Sequence, residues 1–135
     1  ALNRSFLPTT YFAKDVWVRA VLDAGVIGTK TGVLLDWKTG RRKPDNEQLK
    51  LFAAVGFSAY PYIQTFKTGF VWLAENKIDT EVFHKEDAPK IWKEFIVRVQ
   101  RLEDAVEADT FPPRPSGLCR KYCPVGKENC EFCGE

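Results

Sequence analysis

The stretch Val33-Leu34-Leu35-Asp36-Trp37-Lys38 limits the fold more than any other part of the chain. Its opening residues form a short continuous apolar run, which suits a central strand buried on both faces. The run ends on two charges, Asp36 and Lys38. Residues two apart in a strand face the same side, so both project together just beyond a buried segment. Upstream, residues 15–27 are rich in β-branched and aromatic side chains, with alternation clearest from Val16 to Leu22, and read as one strand. Gly28-Thr29-Lys30-Thr31-Gly32 is turn-like. The two strands make a hairpin, and its closure can bring Asp23 close to Asp36.

The rest of the chain builds around this hairpin. Residues 3–12, apolar and aromatic with Pro8 inside, read as an irregular or edge strand. Thr39 to Pro44 is a basic loop. Asp45 or Asn46 can cap the helix that follows. That helix is expected from about Glu47 to Ser58, with Leu49, Phe52, Ala53 and Gly56 on one face. Tyr62 to Glu75 reads as a strand, Asn76-Lys77 as a tight turn, and Ile78 to His84 as the returning strand. Asp87 is placed to cap a long helix with Pro89 in its first turn. Ile91, Trp92, Phe95, Val99, Leu102 and Val106 form the apolar stripe of that helix. Phe111-Pro112-Pro113-Arg114-Pro115 is a stiff connector into a cysteine-bearing tail. The order β-β-β-α-β-β-α plus tail implies an α/β or α+β fold, a mixed sheet flanked by helices. Two domains are expected: a core over 1–110 and a cysteine-rich tail over 111–135.

The formal net charge is +2, too small to argue for nucleic acid by itself. Its distribution says more. Arg41-Arg42-Lys43 cluster beside the charged strand end, and Arg114, Arg120 and Lys121 lie near the cysteines. The acids gather mostly between Glu75 and Asp109. No apolar run reaches the roughly 18 residues of a membrane helix, and the first residues lack the apolar centre of a signal peptide. The expectation is a cytoplasmic protein with no membrane partner. The chain starts at Ala1 and contains no Met, as after removal of an initiator or in a piece of a longer protein.

Asp23, Asp36 and Lys38 suit phosphodiester hydrolysis. Two carboxylates can hold a hard cation such as Mg²⁺ or Mn²⁺. The metal polarises a phosphate and acidifies a bound water. A neighbouring lysine can orient that water or offset the charge that grows on the phosphate. The same spacing also suits an ordinary strand-end salt bridge. Arg41, Arg42 and Lys43, which follow the charged strand end, are expected to meet phosphates flanking a scissile bond.

Asp36-Trp37-Lys38-Thr39-Gly40, followed ten residues after Lys38 by Gln48-Leu49-Lys50-Leu51-Phe52, resembles the signature of RecB-like nucleases in the PD-(D/E)xK superfamily. That group includes nuclease domains of bacterial recombination complexes, CRISPR-associated exonucleases and phage exonucleases. The resemblance runs from about Trp17 to Ala54 and resumes in the tail. It implies a restriction-endonuclease-like core and a metal-dependent DNA nuclease, an exonuclease by preference, acting in recombination, repair or replication with the proteins of those processes. By resemblance Asp23 and Asp36 are the metal carboxylates, Lys38 the catalytic lysine and Gln48 a substrate-contacting glutamine. The backbone carbonyl of Trp37 is a further metal ligand. Phe52 stands where the family has a Tyr, keeping a ring beside the substrate but losing the hydroxyl. Ala20 replaces a frequent Gly. The family's upstream helix, which gives a His or Glu to the metal, has no counterpart before Asp15. A catalytically weakened nucleic-acid-binding module with the same fold is therefore the competing expectation.

All four cysteines, Cys119, Cys123, Cys130 and Cys133, lie in the last seventeen residues. Such density suits a metal in a reducing compartment, against local disulfides or free thiols. Thiolates suit Zn²⁺ or an iron–sulfur cluster. The resemblance implies a [4Fe–4S] cluster, with Cys119, Cys123-Pro124 and Cys130 matching three tail ligands and Cys133 additional. The family's upstream cysteine is missing, so tetrahedral Zn²⁺ stays open. Either metal would be structural, with Gly117, Gly126 and Gly134 allowing tight turns around it. The aromatic residues are assigned mainly to packing, apart from Trp37 between the two catalytic candidates. His84 reads as a surface or turn histidine.

Overall fold

The computed structural model describes residues 1–43 and 46–132. The chain divides into two compact units, Ala1–Val97 and Arg98–Glu135. The boundary falls inside a helix, upstream of the proline-rich connector at which the sequence suggested one.

The first unit opens with two short strands, β1 (Leu2–Asn3) and β2 (Val16–Val18), paired antiparallel. Next come β3 (Ala24–Ile27), β4 (Thr31–Lys38), helix α1 (Glu47–Ala59), β5 (Thr65–Trp72) and β6 (Lys77–His84). A 3₁₀ turn, Lys85–Asp87, leads into α2 (Ala88–Glu107). Strands β3 to β6 form one sheet in that order. The β3–β4 and β5–β6 pairs are antiparallel, while β4 and β5 run parallel, joined by α1 as the crossover. This is an α+β fold built on a mixed four-stranded sheet with flanking helices.

Register sorts the side chains. Gly32, Leu34, Asp36 and Lys38 of β4 lie level with Phe66, Thr68, Phe70 and Trp72 of β5. The latter three are level with Glu81, Asp79 and Lys77 of β6. This is the inward face, and Leu34, Phe66, Thr68, Phe70 and Trp72 are all buried there. Helix α1 packs against β5, burying Leu49, Phe52, Ala53 and Gly56 as its apolar face predicts, and also Ala54, Val55 and Phe57. The opposite sheet face stays open: Val26, Val33, Trp37, Ile78 and Val82 are exposed.

Two glycines set how closely α1 approaches the sheet. The ring of Phe66, fully buried, lies between Gly32 and Gly56. A Cβ on Gly32 would fall 2.3 Å from one ring edge, and one on Gly56 would fall 2.8 Å from the other. A second aromatic group closes the core. Phe6 meets Trp17 edge-on at 5.4 Å and Trp92 at 4.8 Å, so the first turn of α2 is held by the N-terminal segment.

Several elements depart from the sequence expectations. The single strand read over 15–27 is two, β2 and β3, separated by residues 19–23. Alternation reports that a segment is extended but not which partner it pairs with. Here β2 serves β1, and β3 serves β4. The strand read over 62–75 contracts to Thr65–Trp72, and its turn begins earlier, with Asn76 in the left-handed region at φ 50°, a conformation Asn tolerates. Asp87 ends the 3₁₀ turn and accepts from His84 N at 2.8 Å, so it binds the entry to that turn rather than capping α2 directly. Asn46 stands at the N-cap of α1 without a side-chain cap bond. Its amide donates to Glu81 Oε2 at 2.6 Å instead. Asp45, the other cap candidate, and Pro44 lie outside the described residues. The α2 stripe is buried only at Ile91 and Trp92, with Phe95 partly covered, whereas Leu102 and Val106 are about 60% exposed. His84 is exposed, as read.

In the second unit, α3 (Gly117–Lys121) is capped by Ser116, whose hydroxyl accepts from Leu118 N at 3.3 Å. Gly126 takes φ 73°, the turn role expected of it. No helix among the described residues is long and apolar enough to cross a membrane.

Candidate active site

The site grows from the end of β4. Asp36 and Lys38 share the inward face but sit past the last apolar residue of that face, Leu34. Asp36 is 8% exposed and Lys38 is half-buried. Lys38 Nζ stands 2.6 Å from Asp36 Oδ2 and 4.8 Å from the centre of the Phe70 ring, which forms the floor beneath the ammonium. The first turn of α1 adds Gln48. Lys38 Nζ donates to Gln48 Oε1 at 2.9 Å, and Gln48 Nε2 reaches back towards Asp36 Oδ1 at 3.4 Å. Asp36, Lys38 and Gln48 thus close a ring of polar contacts.

Asp23 precedes β3. The β3–β4 register pairs Ala24 with Leu35, which places Asp23, one residue before the ladder begins, next to Asp36 of β4. Asp23 Oδ2 accepts a hydrogen bond from Trp37 N at 2.8 Å, which fixes the carboxylate against the β4 backbone beside Asp36. Pleating turns the Trp37 side chain to the open face, where it is 44% exposed.

Two carboxylates, Asp23 and Asp36, could contribute oxygen ligands to a hard cation. Asp36 Oδ2 is buried and receives no directed hydrogen bond among the described residues, although the Lys38 ammonium lies beside it. That oxygen is held by the ammonium, so a cation at Asp36 would have to displace Lys38. The described residues supply two carboxylates here. No cluster of three or more His, Cys, Asp or Glu placed for a metal occurs among them.

Of the basic loop, Arg41 and Lys43 line a cavity of about 270 Å³ together with Lys38, Gln48, Phe70 and Trp72. Arg42 behaves differently from the expectation. Its guanidinium makes a two-pronged pair with Asp79 of β6, at 2.6 and 2.5 Å. Its backbone N–H donates to Glu75 Oε1 at 2.9 Å. Asp79 also accepts from Trp72 Nε1 at 2.8 Å. The hydrogen bond with Asp79 holds the Arg42 pKa above its ordinary value. The same bond, helped by Trp72, holds Asp79 below its own against the opposing effect of desolvation. Arg42 is thus committed to a carboxylate rather than presented to phosphates. Phe52, expected beside the substrate, is instead 6% exposed and packs as a core residue of α1. The helix sinks into the core along its length, so Gln48 lies at the surface while the residue one turn on is covered.

Asp79, Glu75 and Trp72 were not singled out from the sequence. The available signal was Lys77-Ile78-Asp79-Thr80-Glu81-Val82-Phe83, whose alternation can be read with either face inward. The structure turns Asp79, Glu81 and Phe83 towards α1.

In the tail, Ser116 N donates to Cys119 Sγ at 3.4 Å. Cys123 and Cys130 are free thiols of intermediate burial. The three described cysteines do not converge into one metal-holding group, and Cys133 lies outside the described residues.

Comparison of the chain with protein-family models, with characterised proteins and with solved structures finds no match.

Proposed function

We propose that this chain is a divalent-metal-dependent deoxyribonuclease with a restriction-endonuclease-like core of the PD-(D/E)xK type. One observation supports the reading: Asp36, Lys38 and Gln48 contact one another, Asp23 is bonded to the backbone beside Asp36, and Lys38 and Gln48 line a cavity with Arg41 and Lys43. Asp23 and Asp36 would hold Mg²⁺ or Mn²⁺, with the Trp37 carbonyl as a further ligand by resemblance. Bound there, the cation would polarise a phosphate and acidify a water.

The chain's own residues do the rest. Lys38 lies between Asp36 and Gln48, so it can leave the carboxylate without losing a partner. Gln48 then holds the ammonium by its carbonyl oxygen, facing the attacking side. From there Lys38 orients the water and offsets charge on the phosphate. Arg41 and Lys43 bind flanking phosphates, and Phe70 keeps solvent from beneath the ammonium. Recombination, repair or replication of DNA is the setting the resemblance suggests, with a strand end as substrate. By resemblance Cys119, Cys123, Cys130 and Cys133 would take Zn²⁺ or a [4Fe–4S] cluster as thiolates, the three described cysteines drawing together only as the metal binds.

A second reading has its own support. Two carboxylates without a third ligand among the described residues suit a nucleic-acid-binding module that has lost catalysis. Labelled single- and double-stranded DNA, incubated with Mg²⁺ or Mn²⁺, separates the two. Cleavage by the native chain and none by Asp36→Ala supports the nuclease. Binding without cleavage supports the module. Neither binding nor cleavage overturns both.

A further inference from the structure

The Arg42–Asp79 pair joins the basic loop to a strand that contributes nothing else to the reacting groups. Residues 39–43 leave β4 without regular structure. Among the described residues, this loop is tied to the region around β6 through Arg42: two guanidinium bonds to Asp79 and the backbone bond to Glu75. Asp79 is itself fixed by the indole of Trp72, a residue 5% exposed in the sheet. The chain therefore runs from a rigid core indole, through a carboxylate, to the middle of the loop. Arg42, Asp79 and Asn46 line one cavity of about 360 Å³. Arg41, on the other side of the anchor point, lines the cavity that contains Lys38, and Lys43 borders both.

A two-pronged guanidinium–carboxylate pair fixes orientation as well as distance. Arg41 lines the cavity of Lys38 and Lys43 borders both cavities, so fixing Arg42 towards β6 keeps its two neighbours beside Lys38. The geometry points to Asp79 as a positioning residue for nucleic-acid binding: by holding Arg42 as the loop's anchor, it presents Arg41 and Lys43 to phosphates beside Lys38. This rests on the nucleic-acid reading of the site. It makes Arg42 a structural cation and gives a carboxylate a favourable part in binding a polyanion.

That sign makes the idea testable. Removing a negative charge near a phosphate site should, by charge alone, tighten binding. Loss of a positioning carboxylate should weaken it. The full-length chain and its Asp79→Asn, Asp79→Glu and Trp72→Phe variants are compared in two measurements. The first is affinity for fluorescein-labelled oligothymidylate without divalent metal, over a series of salt concentrations. The second is the rate of trypsin cleavage after Arg41 and Arg42, followed by fragment mass, with circular dichroism verifying the fold. Asp79→Asn is expected to speed cleavage roughly tenfold. It should weaken oligothymidylate binding by about the same factor and flatten its salt slope. Asp79→Glu, which keeps the charge, should recover part of both losses. Trp72→Phe, which removes one hydrogen bond, should give a smaller change in the same direction. Unchanged trypsin cleavage in Asp79→Asn overturns the anchor. Faster cleavage with unchanged or tighter binding overturns the positioning role. A native chain that binds no oligothymidylate sinks the nucleic-acid reading instead, and the trypsin measurement then decides the anchor on its own.

Discussion

Replacing Gly32 by Ala tests how the sheet and α1 are brought together. The added Cβ would lie 2.3 and 2.7 Å from two atoms of the Phe66 ring, where ordinary contact begins near 3.4 Å. The ring must therefore retreat by roughly an ångström. It has little room to do so, because it is fully buried, Gly56 presses its other edge and Phe57 meets it edge-on at 5.0 Å. Forced overpacking of this kind costs about 1–3 kcal/mol, and a clash this deep belongs at the upper end. The lower entropy of an unfolded chain carrying Ala returns about 0.4–1 kcal/mol. The net expectation is a loss of about 2 kcal/mol. Gly56→Ala meets the ring at 2.8 Å and gains about 1 kcal/mol of helix propensity, so its loss should be smaller, about 1 kcal/mol. Urea unfolding followed by circular dichroism reads both as falls in midpoint at constant slope. Phe66→Leu supplies the control: it removes the ring edge that Gly32→Ala strikes. The double variant should be more stable than the sum of the single losses by about 1 kcal/mol or more. A Gly32→Ala protein as stable as the native one, or strictly additive losses, would refute the reasoning. Gly56→Ala should also lift α1 and lengthen the 3.4 Å contact between Gln48 and Asp36.

Further outcomes follow from the site. Lys38→Ala should leave cation binding largely intact, read by Mn²⁺ titration, while slowing DNA hydrolysis roughly 10²–10³-fold. Asp23→Ala strips Trp37 N of its acceptor and should cost about 1 kcal/mol of stability, whereas Asp23→Asn keeps an acceptor and should retain stability while still weakening Mn²⁺ binding. Because Asp79 titrates below its ordinary value of 3.8, its contribution is complete above that pH and is lost as pH falls through the lowered value. Arg42 stays charged throughout, and Glu75 and Lys77 are the other charges that act on the pair. Tryptic mapping is impractical at that acidity, so the nuclear magnetic resonance signal of the Arg42 Nε–H should show the pair opening only below about pH 3.8. For the tail, anaerobic purification should give either brown protein with iron and labile sulfide or colourless protein with about one zinc per chain; protein with neither metal would overturn the tail proposal.

Much of the central architecture was legible because it is local. The apolar run of β4, the 3.6-residue period of α1 and the turn between β5 and β6 each announce themselves within a few residues. The Asp36–Lys38 pairing follows from a spacing of two. What the sequence hid depends on partners far along the chain. The break at 19–23 arises because β2 and β3 belong to different sheets. The role of Arg42 depends on Asp79, 37 residues away. The inward acids of β6 could not be told from outward ones, since Ile78 and Val82 gave the opposite alternation equal apolar weight. Phe52 misled because a signature position was read as a surface one, whereas the burial of α1 deepens along its axis. The α2 stripe looked like core throughout, yet only its first turns find apolar partners.

The pleat of β4 also equips the protein with a built-in optical gauge. Trp37 faces water on one side of the strand while its amide nitrogen is tied to Asp23 on the other. The remaining indoles, Trp17, Trp72 and Trp92, are half-buried or buried. Solvent relaxation therefore shifts Trp37 emission to longer wavelength than theirs, and acrylamide quenches it first. A cation that draws the Asp23 carboxylate towards Asp36 slackens the bond to the Trp37 amide and alters the backbone dipole beside that indole. If the pair binds a cation as proposed, red-edge emission of the unlabelled chain would read its occupancy from the open face of the sheet.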